Sequence, residues 1–150
     1  MSRRDARELT FIYLYQLTFR SEDSHERQAR FIAEQEMDTV SSSYFSRVVS
    51  GIGEHLDQID DTFSPLLVNW TKERLPRIDL SILRLAVYEL IYADDVPDSV
   101  AISEAVRLAR KFSTDRSRSY INAVLGNLAR TREAQGLGKP GKRVEVKNDG

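Results

Sequence analysis

Apolar residues recur along this chain at spacings of three and four, the pattern of helices that bury one face. The first stripe is Ala6, Leu9, Tyr13 and Leu17, with Arg3, Arg4, Arg7 and Glu8 on the polar side. Ser2 stands three residues before Asp5, which predicts a capping box at the start of that helix. Asp23 and Glu26 signal a second, short helix that buries Ala29, Phe31 and Ile32. Phe45, Val48, Val49, Ile52, Leu56 and Ile59 form the most regular stripe and predict a third helix. Ser64-Pro65 reads as an N-cap followed by proline at the first helical position, opening a short helix to about Trp70. Pro76 separates it from the segment 79–93, which is apolar on nearly every side and is expected to pack centrally. Asp98 or Ser99 caps the next helix. That helix is predicted to bury Ile102, Ala105, Val106, Ala109 and Phe112 and to show Glu104, Arg107, Arg110 and Lys111 to solvent. Ser113-Thr114-Asp115 makes a loop and cap, and Ile121, Val124, Leu125 and Leu128 stripe the last helix.

No segment alternates as a strand would, and no internal repeat is visible. The expected fold is therefore all-α, with about seven helices in two packed halves, 1–62 and 63–134, within a single domain 1–134. From Gln135 onward, Gly136, Gly138, Pro140 and Gly141 accompany four Lys and Arg residues with almost nothing to bury. Residues 135–150 read as a flexible basic tail. A chain of 150 residues can bury roughly 70% of its unfolded surface, enough to fold without covalent staples.

The composition removes several function classes. There is no Cys, so disulfides, thiolate metal sites and thiol nucleophiles are excluded. His25 and His55 have no carboxylates at ligand spacing, which argues against a metal. No cofactor is expected. Gly51-Ile52-Gly53 lacks the remainder of a phosphate-binding loop. Asp79 and Glu89 stand ten residues apart on one segment and cannot flank one bond, and no serine sits in a glycine-flanked elbow. Glu104 and Arg107 read as a surface pair. The expectation is a protein that is not an enzyme. The most apolar run, 80–93, is too short to span a bilayer and carries Arg84 and Glu89, which are either buried partners or an exposed edge. Met1 to Arg7 lacks the apolar core of a signal peptide. A cytoplasmic protein without membrane association is expected.

Charge changes the picture. Lys and Arg total 22 against 23 Asp and Glu, a net charge of −1 that argues against a uniformly basic polyanion binder. The sum hides segregation. Between Glu22 and Asp61 stand ten acidic and three basic residues; between Arg107 and Arg132 stand seven basic residues and only Asp115 opposes them. Arg3, Arg4 and Arg7 add a basic N-terminus, and Arg3 and Arg7 are four apart, on one helix face. Arg116 and Arg118 stand at the start of the last helix, where free N–H groups also favour an anion. Tyr120 is close enough to stack on an unpaired base. Any one of these arginines suits a solvated helix face; the group together points to a polyanion site.

Four motifs carry a family resemblance. Arg3-Arg4-Asp5-Ala6-Arg7-Glu8 followed by Leu14-Tyr15-Gln16, the run from Ile78 to Leu90, Asp95-Val96-Pro97 followed by Val100 to Val106, and Tyr120 to Gly126 occur in order. Over residues 3 to about 129 the chain resembles the NusB family of bacterial transcription antitermination factors. The resemblance implies an all-helical, non-enzymatic protein that binds the single-stranded boxA element of nascent ribosomal RNA. It also implies two kinds of protein partner: the small-subunit ribosomal protein NusE, and RNA polymerase with other Nus factors. It assigns RNA contact to Arg3, Arg4 and Arg7 and to Arg116, Ser117, Arg118 and Tyr120, and places Tyr15 and Asp79 on the face that meets NusE. Members occur as monomers and as homodimers.

Three positions depart from the family pattern. Asp5 stands where a further arginine is common, Arg116 where an acidic residue can occur, and Ser103 where Asn is usual. Two rival readings stay open. One is a NusB-like domain cut from a ribosomal RNA cytosine methyltransferase, against which the chain has no catalytic Cys and ends before any cofactor domain. The other is a helical protein-interaction module without RNA binding.

Overall fold

A computed structural model describes residues 1–19 and 22–139. Seven α-helices follow one another, the number expected: α1 (Arg3–Leu17), α2 (His25–Glu34), α3 (Thr39–Glu54), α4 (Leu56–Phe63), α5 (Arg77–Tyr92), α6 (Asp98–Phe112) and α7 (Asp115–Ala134). No strand occurs among the described residues. The expected capping box is present: the Asp5 N–H donates to the Ser2 hydroxyl at 3.0 Å and the Ser2 N–H to the Asp5 carboxylate at 3.4 Å. Asp38 caps α3 by accepting from the Ser41 N–H at 2.8 Å, and its second oxygen accepts from the Met1 ammonium at 3.0 Å. The Ser41 backbone bond, reinforced by the ammonium, lowers its carboxyl to about 2.

The all-round apolar character of α5 has the consequence expected of it. Ten of its 16 residues are buried, and it packs against α1, α3, α4, α6 and α7. Buried side chains from Ala6 to Leu128 form one continuous cluster, so the N- and C-terminal helices meet across α5 around a shared core. Each fully buried Leu, Ile or Phe of that cluster contributes roughly 1.5–3 kcal/mol.

Several local expectations are corrected. Ser24, not Asp23, caps α2, accepting from the Arg27 N–H at 3.0 Å. Asp23 is drawn away by the buried Tyr13 hydroxyl, which donates to it, and by the Gln28 amide at 2.8 Å. On α2 the buried positions are Gln28 and Phe31, while Ala29 is exposed, because Phe31 turns inward to stack on Phe45 at 5.3 Å. The long stripe from Phe45 to Ile59 is two helices, broken at His55 (φ −113°, ψ 23°). Gly51 and Gly53 precede that break and weaken helical propagation. Gly51 also admits the Tyr88 ring, which a Cβ would meet at 2.5 Å. Ser64 is not the expected N-cap but ends α4: its hydroxyl donates to the Asp60 carbonyl at 2.6 Å, and Ser64–Leu66 continues α4 as a 3₁₀ turn. A second 3₁₀ turn covers Lys72–Arg74, and no helix reaches Trp70. On α6, Ala101, Glu104 and Leu108 are buried, whereas Ile102, Val106 and Phe112 are half-buried. Its cap position is Pro97, without a side-chain bond.

Residues 135–139 of the expected tail are docked. Gly136 takes φ +76° after α7, the Leu137 N–H donates to the Arg132 carbonyl at 2.7 Å, and Lys139 reaches α5. The remainder of that tail, 140–150, lies outside the described residues.

The expected exposure of Arg7 is also corrected. Its side chain is 4% exposed and sits among α1, α5 and α6. Nε and Nη2 donate to the two oxygens of Glu89 at 2.8 and 3.0 Å, and Nη1 donates to Glu104 at 3.0 Å. Arg84 does not pair with Glu89; it forks onto Asp60 of α4 at 2.9 and 2.8 Å. Removing one partner from a buried pair strands a charge in the core, at about 3–5 kcal/mol, whereas replacing both by apolar groups is close to neutral. Arg7→Met should therefore lower the unfolding free energy in urea by about that amount, and Arg7→Met with Glu89→Leu should restore most of it.

Candidate nucleic-acid interface

Long side chains of α1 and α6 meet along a seam that is ionic at one end and aromatic at the other. Arg107 of α6 donates to Glu8 of α1 and to Glu104, each at 3.1 Å. Lys111 donates to Glu8 at 2.8 Å, and Arg4 lies 3.3 Å from Glu104. Further along, Phe11 packs on Phe112 with ring centroids 5.1 Å apart. Glu104 and Arg107 are thus not the expected surface pair: Glu104 is buried and joins Arg7 beneath to Arg4 and Arg107 above. Burial works to raise the Glu104 carboxyl, but the Arg107 hydrogen bond and the charges of Arg107, Arg7 and Arg4 outweigh it and hold it below the ordinary range. Glu8 is held down in the same way by Lys111 and Arg107.

A groove opens at each end of α6, which spans about 22 Å at 1.5 Å per residue. The first, about 350 Å³, lies at its N-terminal end among Arg3, Arg4, Asp95, Val96, Pro97 and Val100. Arg3 lies over the Tyr44 ring at 4.4 Å and 3.7 Å from Asp95. Arg4 is the more exposed of the two, at 67%. The second groove, about 730 Å³, lies at the C-terminal end among Val68, Trp70, Ile78, Phe112, Arg116 and Tyr120. Asn69, with φ +65°, turns the chain so that Val68 and Trp70 form one wall. Arg116 is exposed and makes no ion pair or hydrogen bond with another described residue. Arg118 is partly exposed and lies 3.6 Å from Asp115. The Tyr120 hydroxyl is buried beside the Val68 backbone without completing a hydrogen bond, and burial raises its pKa.

The other expected site residues have structural partners. Ser117 donates its hydroxyl to Asp79 at 2.6 Å and its N–H to Thr114, the cap of α7, at 3.0 Å. Asp79 is buried, accepts also from Ser113 at 2.7 Å, and so ties the start of α5 to the α6–α7 loop. Tyr15 is half-buried between Phe11 and Phe19, at 6.3 and 5.1 Å, and Arg77 lies over Phe19 at 4.4 Å. Phe19 is 57% exposed. The structure thus gathers Arg3 and Arg4 at one groove and Arg116 and Tyr120 at the other, and withdraws Arg7, Ser117 and Asp79 into supporting contacts. Sequence reasoning missed Trp70, Phe19 and Arg77. A tryptophan in a non-periodic segment is the available signal for the first; the others depend on how α1 meets α5.

Among the described residues no group of three or more His, Asp or Glu could hold a metal ion, and no helix is long and apolar enough to cross a membrane. The site defines a small all-helical protein whose arginines and aromatic rings line two grooves along one helix. The model of the NusB family matches residues 4–130, and the chain belongs to that family. It is 41% identical over 132 residues to the transcription antitermination protein NusB of Natranaerobius thermophilus, covering 86% of this chain and 95% of the relative. The solved structure of T. maritima NusB superposes with a TM-score of 0.81 at 31% identity, covering 97% of this chain and 98% of the other. A crystal structure of NusB and NusE in complex with double-stranded RNA has the same fold, with a TM-score of 0.77 at 23% identity over 86% of this chain and 96% of that one.

The depressed carboxyl of Glu104 predicts an acid limb of stability. Its contribution is present above the unfolded value of about 4.3 and is lost as pH falls through the lower folded value. Glu104→Gln should be less stable than the wild type at neutral pH, and the difference should shrink below about pH 4 in urea titrations.

Proposed function

We propose that this protein is an RNA-binding transcription antitermination factor. In this reading it engages boxA RNA of nascent ribosomal transcripts together with the ribosomal protein NusE, and loads onto RNA polymerase with other Nus factors. The observation that carries the proposal is the pairing of chemistries along α6: exposed arginines at both ends, and two aromatic rings beside Arg116, which has no partner among the described residues. A flexible RNA strand is recognised by phosphate neutralisation combined with stacking on exposed base faces. Arg3, Arg4, Arg116 and Arg118 meet phosphates, Tyr120 and Trp70 offer ring faces, and Arg7 and Ser117 hold their neighbours from beneath. Tyr15 and Phe19 present an aromatic face to the protein partner, with Asp79 fixing the adjoining loop. The relatives' shared name and the NusB–NusE–RNA complex of the same fold support this reading. The protein acts by binding, without catalytic turnover, in the cytoplasm.

The rival reading, a protein-interaction module without RNA binding, draws on the exposed Phe19 and Tyr15. Titration of boxA RNA with and without NusE separates the two; no mobility shift in either condition would overturn the proposal. Arg4→Ala combined with Arg116→Ala should weaken RNA binding and make its log–log salt slope shallower by about 0.7 for each phosphate that is no longer neutralised. Unchanged affinity and slope would remove both residues from the interface.

A further inference from the structure

The groove at the N-terminal end of α6 already contains an anion of its own. Asp95 places its carboxylate 3.7 Å from Nη1 of Arg3, and its side chain is 59% exposed. Arg3 is held from a second direction by the Tyr44 ring, so its guanidinium stands ready between an aromatic face and a carboxylate. The turn that carries Asp95 is braced on both flanks. Lys139 donates to the carbonyls of Glu89 at 2.8 Å and Ala93 at 2.9 Å and to that of Val96, and lies 3.7 Å from Asp98. The Val96 N–H closes the turn onto the Ala93 carbonyl at 3.1 Å. Lys139 stands outside residues 4–130, the span that the family model matches. Asp95 is therefore held at the arginine without help from any ligand.

We infer that Asp95 is an internal competitor for RNA phosphate at Arg3, an autoinhibitory contact that limits the affinity of the free protein for RNA. A carboxylate and a phosphate oxygen make the same kind of bond to a guanidinium. A phosphate at Arg3 competes with Asp95 for the guanidinium, and weakening of that pair subtracts from the binding free energy. The inference rests on the RNA-binding reading above.

The test is a fluorescence titration of single-stranded boxA RNA at about 0.1 M salt against five proteins: the wild type, Asp95→Asn, Asp57→Asn, Arg3→Ala and Arg3→Ala with Asp95→Asn. Asp95→Asn keeps the shape of the side chain and should raise affinity about two- to fivefold over the wild type, the range that an exposed ion pair supplies. Asp57→Asn, which removes an exposed charge from α4, measures the effect of net charge alone and should change affinity much less. In an Arg3→Ala background the gain from Asp95→Asn should fall to the level of the Asp57→Asn control, because the competitor has lost its target. Affinity of Asp95→Asn equal to or below that of the wild type would overturn the inference, as would a gain that persists without Arg3. Wild-type protein that binds no RNA, alone or with NusE, would instead overturn the underlying reading.

Discussion

The buried fork of Arg7 is the contact on which the arrangement of the other parts depends. A guanidinium presents its donors in one plane, and here that plane is satisfied from two helices at once, by both oxygens of Glu89 and by one of Glu104. Burial alone would disfavour the charge, but the Glu89 bonds and the surrounding charges reverse that and make the arginine still harder to deprotonate. Meeting all three bonds at once restricts how α1 can rotate and slide against α5 and α6. The fork therefore sets the register of the α1–α6 seam, and with it where Arg3, Arg4, Arg107 and Lys111 reach the surface.

This also explains why an arginine in an arginine-rich opening helix is not available to a ligand. Arg3, Arg4 and Arg7 look equivalent as a run of basic residues, yet they occupy three environments. Arg7 is neutralised in the core, Arg4 shares a buried carboxylate from outside, and Arg3 rests on an aromatic ring beside an exposed one. Along the seam Glu8, Glu89 and Glu104 are shared among Arg4, Arg7, Arg107 and Lys111, so most of the local charge is compensated. Arg116 escapes that pairing, which gives the second groove a different electrostatic character from the first.

Periodicity makes the helices legible. The 3.6-residue stripes locate α1, α2, α5, α6 and α7 and the joint span of α3 and α4, the Ser2 and Thr114 caps stand where hydroxyl residues precede apolar runs, and the all-round apolar segment is the central helix. The departures that involve charged side chains share one cause. Sequence pattern assigns a charged residue to solvent whenever its own neighbours in the chain offer no partner, whereas Glu89 and Glu104 lie 82 and 97 residues from the arginine that pairs with them. Asp23 leaves a cap for the same reason, because a buried phenol ten residues earlier needs an acceptor. Breaks governed by close approach, such as the fit of Tyr88 against Gly51, leave no trace in a one-dimensional pattern. Of the site, the arginine and tyrosine members are visible as charge segregation. The Trp70 wall is not, because it depends on a left-handed backbone at Asn69.

Trp70 gives the second groove an optical property that the rest of the molecule lacks. It is the only tryptophan in the chain, and it lies at the surface with its indole lining the cavity beside Arg116 and Tyr120. Excitation at the red edge of protein absorbance therefore addresses this wall alone, with no second indole in the core to contribute background. Any group that replaces water there, whether a stacked base or an apolar side chain, alters the polarity and quenching around one fluorophore. The protein thus carries an unlabelled indole reporter at one end of α6, while the arginine groove at the other end has only the Tyr44 phenol beside it.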